Sequence, residues 1–278
     1  VYINVITNYT VNYINVMKKV ISFSLYGNKA CYQTGAIINI IEAKRLLPDW
    51  ICRFYTTDAT VVKKQLTYLG AEIVDMKNDS LCHAKMFWRF LAVDDPEVET
   101  VIFRDADSVI SERELPCLDK WLNSEEEWQF NVIRDHPSHL SVPILGGMWG
   151  YTNLKKTENY IDFKKKSMRS YIYHDWIKGL KRKVNRVQDD QRFLKWFYEN
   201  VARHIPGPSK HPGAGILRFG PQGHKIPDHE TTRYTTHIGA RTFSKGAKFN
   251  SKVVNGYDED WYNSQSWRWW QFNKKDNQ

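Results

Sequence analysis

The chain has 278 residues, 42% hydrophobic and 26% charged, and a net charge of +9. That composition builds one large α/β domain, or one domain with an appendage, and excludes a disordered or fibrous chain. No apolar run is long enough to span a bilayer, and no helix-turn-helix, zinc-finger or RNA-binding motif accompanies the positive charge, so nucleic acid is not an expected partner.

Residues 1–16 are apolar and Asn-rich, with neither a basic n-region nor a small-residue cleavage site. Met17-Lys18-Lys19 reads as a natural start, and 1–16 as an added leader. Residues 20–26 predict a first strand ending at Gly27, and 31–47 a helix with an apolar stripe of Ala36, Ile37, Ile40, Ile41 and Ala43, stopped by Pro48. Residues 51–56 predict a second strand, ending at Thr57-Asp58. A helix over 59–69, stopped by Gly70, a strand over 71–75 and a helix over 84–93 follow. Residues 101–104 then predict a fourth strand. Strand–helix alternation of this kind predicts a parallel sheet with helices on both faces.

That fourth strand runs into Asp105-Ala106-Asp107. Ligands of open α/β sheets bind where strands end at their carboxyl edge. Two carboxylates at i and i+2 there can reach one hard divalent cation, Mg²⁺ or Mn²⁺, which takes oxygen ligands and leaves positions for phosphate. The alternative is a plain turn, where Asp is also common. Neither G-x-G-x-x-G nor G-x-x-x-x-G-K-S/T occurs, so a glycine cradle for phosphate is not expected.

Residues 129–133 predict a fifth strand. Gly146-Gly147-Met148-Trp149-Gly150 predicts a tight turn, with Trp149 either offering a flat face to a sugar ring or filling the core. Residues 160–179 predict a basic helix. Asp189 and Asp190, ahead of Gln191 and an apolar run, predict a helix N-terminus, where one carboxylate caps and the other is left for another task. Residues 204–223 are rich in Gly and Pro and predict a loop. The last residues, 261–275, mix four Trp with Lys and Arg, a docking tail compatible with peripheral membrane contact.

Charge is unevenly placed. Residues 94–127 hold 12 acidic and 3 basic side chains, a net of −9, and residues 155–203 hold 14 basic and 6 acidic, a net of +8. An acidic half beside a basic half suits a metal-bound anionic substrate, although a solvated cationic face explains most of the lysines. Cys31, Cys52, Cys82 and Cys117 lack C-x-x-C spacing, which fits a reducing compartment, the cytoplasm, and small buried side chains.

The ordered set of Arg104-Asp105-Ala106-Asp107-Ser108, Gly146 to Gly150, Asp190-Gln191 and His237-x-Gly239, behind a Rossmann-like half containing Trp88-Arg89-Phe90-Leu91, resembles metal-dependent glycosyltransferases of the GT-A fold, in particular small bacterial and giant-virus enzymes. The resemblance covers about residues 18–245 and implies a GT-A-like, Rossmann-type mixed sheet, mostly parallel and flanked by helices. It divides the chain into a catalytic domain over 1–245 and an aromatic, basic tail over 246–278. It implies a nucleotide-sugar donor, with UDP as first choice, a glycan acceptor, and host cytoplasm if the source is viral. Asp105 and Asp107 would hold Mn²⁺ or Mg²⁺, with His237 as third protein ligand. Leu25, Tyr26, Gly27, Thr57 and Asp58 would lie at the nucleoside. Lys85 and Arg89 would face the donor, Gly147, Trp149 and Gln191 would shape the sugar pocket, and Asp190 or Asp189 would touch the sugar or activate the acceptor. The rivals are a phosphohydrolase with a D-x-D nucleophile pair, a nucleotidyltransferase, and a non-catalytic carbohydrate-binding protein.

Overall fold

The computed structural model describes residues 17–57, 62–125, 128–135, 139, 142–153, 160–184, 188–205 and 215–220. Asp58, His237, the leader and the tail beyond residue 245 lie outside the described residues.

Seven strands form one sheet in the order β3-β2-β1-β4-β6-β5-β7. They are β1 (Lys18–Ser24), β2 (Trp50–Thr56), β3 (Glu72–Asp75), β4 (Val98–Arg104), β5 (Phe130–Ile133), β6 (Trp149–Thr152) and β7 (Ile216–Phe219). β3, β2, β1 and β4 are mutually parallel, β6 is antiparallel to both neighbours, and β7 is parallel to β5. Among the described strands only β6 therefore runs against the rest. The expected Rossmann-type mixed sheet, mostly parallel and flanked by helices, is the observed architecture.

Strand alternation sorts the apolar residues onto two faces. Val20, Val101, Phe103, Phe130, Val132 and Trp149 share one core with the 3₁₀ helix Lys85–Asp94 and helix α5 (Asp189–Asn200). Ile21, Phe23, Ile102, Ile133 and Leu217 share the other with α1 (Ala30–Leu46) and α3 (Leu115–Asn123). The short helix α2 (Lys63–Tyr68) sends Leu66 into that second core, and α4 (Met168–Ser170) leads into a π-helical stretch, Tyr171–Gly179, on the first.

Four expectations are corrected here. Residues 84–93 do not form an α-helix but a ten-residue 3₁₀ helix. Phe87 to Val93 are all buried, so no single α-helical stripe would suffice, and a period of three aligns Phe87 with Phe90, whose rings meet edge to face. The Gly146–Gly150 stretch is a turn only as far as Met148, since Trp149 opens β6. The Gly/Pro-rich 204–223 stretch contains β7, whose apolar Ile216-Leu217-Arg218-Phe219 pairs along β5. Helix between 160 and 179 begins only at Met168, whose N–H donates to Asp94 at 2.6 Å, as does that of Arg169 at 3.0 Å.

Ser22 and Ser24 sit on a buried strand face for a specific reason. Ser22 Oγ donates to the Arg89 carbonyl at 2.7 Å, and Ser24 Oγ accepts from the Arg89 N–H at 2.9 Å. Two hydroxyls on β1 thus fix the backbone of one residue in the 3₁₀ helix. All four cysteines are free; burial pushes the Cys52 and Cys117 thiols up to about 12, which keeps them protonated and unreactive at neutral pH.

Candidate active site

The strand order turns at β1 and β4: from β1 the chain builds outward to β2 and β3, then returns to place β4 on the opposite side. Such a switch point opens a crevice at the carboxyl ends of the two strands. Leu25-Tyr26-Gly27 leaves β1 there, and Asp105-Ala106-Asp107 leaves β4. The reversed strand β6 lies next to β4, so its amino end, with Gly146 and Gly147 just before it, reaches the same edge.

The acidic turn is held from below by α1. Ser108 N–H and Oγ both donate to the Asp105 carbonyl, at 3.2 and 3.1 Å. Asn39 donates to the Ser108 carbonyl at 2.7 Å, and its Oδ1 accepts from the Ile110 N–H at 3.1 Å. Gly35, one turn earlier in α1, lets the helix approach so closely that an added Cβ would lie 2.0 Å from the Ala106 carbonyl oxygen. Gly35→Ala should therefore destabilise the protein. The gain of about 1 kcal/mol in helix propensity is outweighed by an overpacking cost of roughly 1–3 kcal/mol, because the obstacle is backbone. Urea unfolding that finds the variant as stable as wild type would show that α1 does not support the turn.

Arg89 links the carboxylates. Its Nη1 pairs with Asp105 Oδ1, and its Nη2 donates to Asp190 Oδ2 at 2.8 Å. Asp105 is 49% exposed at its side chain and Asp190 only 2%. Asp107 is buried. Burial raises the Asp190 carboxyl above the ordinary range, and the Arg89 charge opposes that rise. The glycines complete the enclosure. A Cβ on Gly146 would fall 2.5 Å from Arg89 Nη2 and 2.7 Å from Asp190 Oδ2, and one on Gly147 would fall 2.5 Å from Asp105 Oδ2.

The other expected residues are distributed as follows. Tyr26 is half-buried at the end of β1, edge-on to Trp88, with the exposed Lys85 Nζ 5.8 Å from its ring centre. Leu25 has no exposed side chain and can offer only backbone. Gly27 has φ +72°, a left-handed conformation that favours glycine, and its carbonyl accepts from Gln33 Nε2 at 2.6 Å. Thr57 follows β2 at the same sheet edge. Gln191 lies against Gly146, its Oε1 buried without a hydrogen-bond partner among the described residues.

Trp149 presents no open face. It is 1% exposed and packed against Phe103, with ring centres 4.1 Å apart, and against Phe90 and Phe130. As the first residue of β6 it points into the core, the second of the two readings its sequence left open, and it offers no face to the sugar pocket that the resemblance implied. Asp189 and Asp190 are not N-caps either. Gln188, at φ +72°, precedes the helix, and both aspartates stand in its first turn, where negative charge favours the helix dipole. Asp190 Oδ1 accepts from the Gln191 N–H at 2.9 Å, and Asp189 pairs with Arg192 at 3.2 Å.

Sequence reasoning missed two participants. Arg104 and Glu114 form an ion pair beneath the acidic turn, both almost wholly buried. Arg104 also donates to the Phe103 carbonyl at 2.8 Å and the Gly147 carbonyl at 3.3 Å, tying β4 to the glycine loop. The signal was Ser111-Glu112-Arg113-Glu114, a capping-box pattern, in which Glu114 also accepts from the Ser111 N–H at 3.0 Å.

The donor set of Asp105 and Asp107 is all carboxylate oxygen, with the Asp105 side chain half-exposed, and it fits a hard divalent cation that takes its remaining ligands from substrate and water. Among the described residues no group of three or more His, Cys, Asp or Glu side chains is set to hold a metal. Also among the described residues, no helix is long and apolar enough to cross a membrane.

Fold and site thus define an α/β protein with Asp105, Asp190, Arg89 and a glycine loop gathered at the switch point of its sheet. No protein-family model matches the chain, and no curated protein matches it. Among solved structures, it is similar to the glycosyltransferase GlyE of Streptococcus pneumoniae, at 13% identity and a TM-score of 0.45, over 66% of this chain and 44% of that one. It is also similar to a glycosyltransferase involved in glycosylation of the major capsid of PBCV-1, at 15% identity and a TM-score of 0.40, over 73% and 80% of the two chains. A third is the galactosyltransferase LgtC, solved with donor and acceptor sugar analogues, at 12% identity and a TM-score of 0.41, over 88% and 99%. The chain thus spans less than half the length of the pneumococcal protein it matches.

Proposed function

We propose that the chain transfers a sugar from a nucleotide-diphosphate sugar, with UDP as the nucleotide, to a hydroxyl of a glycan acceptor, with the help of Mn²⁺ or Mg²⁺. The observation that carries this reading is the meeting of Asp105-Ala106-Asp107, the Gly146-Gly147 loop and the Arg89–Asp190 pair at the crevice where β1 and β4 end.

A bound divalent cation would neutralise charge on the leaving diphosphate. Asp105 and Asp107 would hold it, with His237 as the third protein ligand. Tyr26 and Gly27, with Thr57 and Asp58, would bracket the nucleoside, and Lys85 would meet phosphate. Gly146 and Gly147 let the loop backbone close on Arg89, Asp190 and Asp105, and Gln191, with a buried acceptor unpartnered among the described residues, would receive a sugar hydroxyl. Both oxygens of Asp190 already accept hydrogen bonds, which favours a role in fixing the sugar and Arg89 over that of a freely exposed base. Asp189 stands behind it.

A thermal-shift screen of nucleotide sugars with and without Mn²⁺ tests the reading. A ligand at a hundred times its Kd stabilises by about 2.7 kcal/mol, which for a chain of this size raises Tm by roughly 5–10 °C. We expect that rise with a UDP-sugar and Mn²⁺ together and not with either alone, followed by release of UDP that requires an added glycan. An equal rise without metal would remove the cation from the scheme, and no rise with any nucleotide sugar would overturn the assignment.

A further inference from the structure

We propose that Arg89 is the resident counter-ion of Asp105, which an incoming divalent cation must displace, so that filling the acidic turn sets one arm of a buried guanidinium free. The inference rests on the reading of Asp105 and Asp107 as cation ligands.

The arrangement has three parts. First, Arg89 is buried and cannot shed its proton, so its charge must be met by fixed partners. It has two, Asp105 through Nη1 and Asp190 through Nη2. Second, the partners differ in access. Asp190 is enclosed and also anchored by the Gln191 N–H, whereas Asp105 opens onto the crevice. A cation arriving from solvent therefore competes for Asp105 and leaves the Arg89–Asp190 pair in place. Third, the freed Nη1 has a second acceptor at hand, since the Arg104 carbonyl oxygen already lies 3.4 Å from it. The Arg89 backbone, held at both N–H and C=O by Ser24 and Ser22, does not have to move. Among the described residues Arg89 Nε has no hydrogen-bond partner, so there the guanidinium is under-satisfied even before the exchange.

The consequence is an order of events. With the turn empty, Arg89 neutralises Asp105 and the crevice offers little positive charge. Once a divalent cation takes Asp105, the cation faces the crevice with the buried guanidinium charge behind it no longer cancelled by Asp105, and an anionic ligand is drawn in second.

The test uses Mn²⁺ alone, with no nucleotide, and the full chain, reading free Mn²⁺ by electron paramagnetic resonance. Removing a neighbouring positive charge in a partly screened site should tighten Mn²⁺ binding about tenfold or more in Arg89→Gln. Asp190→Asn should act in the opposite sense, because Arg89 is then left to Asp105 alone, and weaken Mn²⁺ several-fold. This second variant is isosteric and guards against an Arg89→Gln chain that fails to fold, as judged by circular dichroism. Unchanged or weaker binding in a folded Arg89→Gln, or tighter binding in Asp190→Asn, would overturn the counter-ion assignment and leave Arg89 a structural clamp. Asp107→Asn in the Arg89→Gln background separates the two readings. Loss of Mn²⁺ there places the ion at the acidic turn, and retention would remove the metal site itself.

Discussion

Asp107→Asn should lower metal-dependent transfer by at least about a hundredfold with the fold unchanged, because the cation contributes several kcal/mol of charge stabilisation. Asn preserves the size of the side chain and removes the charge that a hard cation requires. The turn itself is held by backbone and by Asn39, Ser108 and Gly35. Turnover and Mn²⁺ affinity should fall together in a variant that circular dichroism shows to be folded. Near-normal turnover in this variant would place the site elsewhere on the molecule.

Glu114→Ala should cost about 3–5 kcal/mol of stability, because it leaves the Arg104 charge buried without its partner. Arg104 is the residue immediately before Asp105, and its guanidinium also bonds the Gly147 carbonyl, so the loss should loosen both walls of the crevice. The same substitution removes the acceptor for the Ser111 N–H at the start of the α3 segment. Calorimetric or urea unfolding measures the effect. The double variant Arg104→Met with Glu114→Leu should recover most of the loss, since apolar replacements of a buried ion pair are often neutral or better. A single variant that loses less than about 1 kcal/mol would show that water reaches the pair.

The parallel half of the fold was legible because its strands are continuous apolar runs, as expected of strands buried on both faces. Residues 51–56 lie within one residue of β2, whereas 20–26 runs two residues past the end of β1 and 101–104 begins three residues into β4. The reversed strand was not, because Trp149-Gly150-Tyr151-Thr152 contains a glycine and is preceded by two more, a turn signal on any local scale. Gly150 is there for packing: a Cβ would lie 2.8 Å from the Trp121 ring, a contact between residues far apart in sequence. β7 was hidden in the same way by the glycines and prolines around it.

At the site, Asp105 and Asp190 could be named from their places in the sequence, and Gly147 and Arg89 from the resemblance, but not their connections. One guanidinium serving two carboxylates depends on how a 3₁₀ helix is phased against β4 and α5. A ten-residue 3₁₀ helix runs against the usual length limit. The burial of Trp149 was equally out of reach, since a Trp between glycines is compatible with a binding surface and with a core, and only the strand's direction decides.

The position of β6 also bears on how the chain assembles. β5 has only β6 and β7 as neighbours, and both come later in the sequence. As the polypeptide emerges, β1 to β4 can pair among themselves, while Phe130-Asn131-Val132-Ile133 must wait with nothing to pair with. Unpaired apolar strands are what intermediates expose to aggregation, and non-local pairings of this kind slow the search for the native state. The strand's brevity, four residues, limits that exposure, and the arrival of β6 docks it and seats Trp149 in the same step.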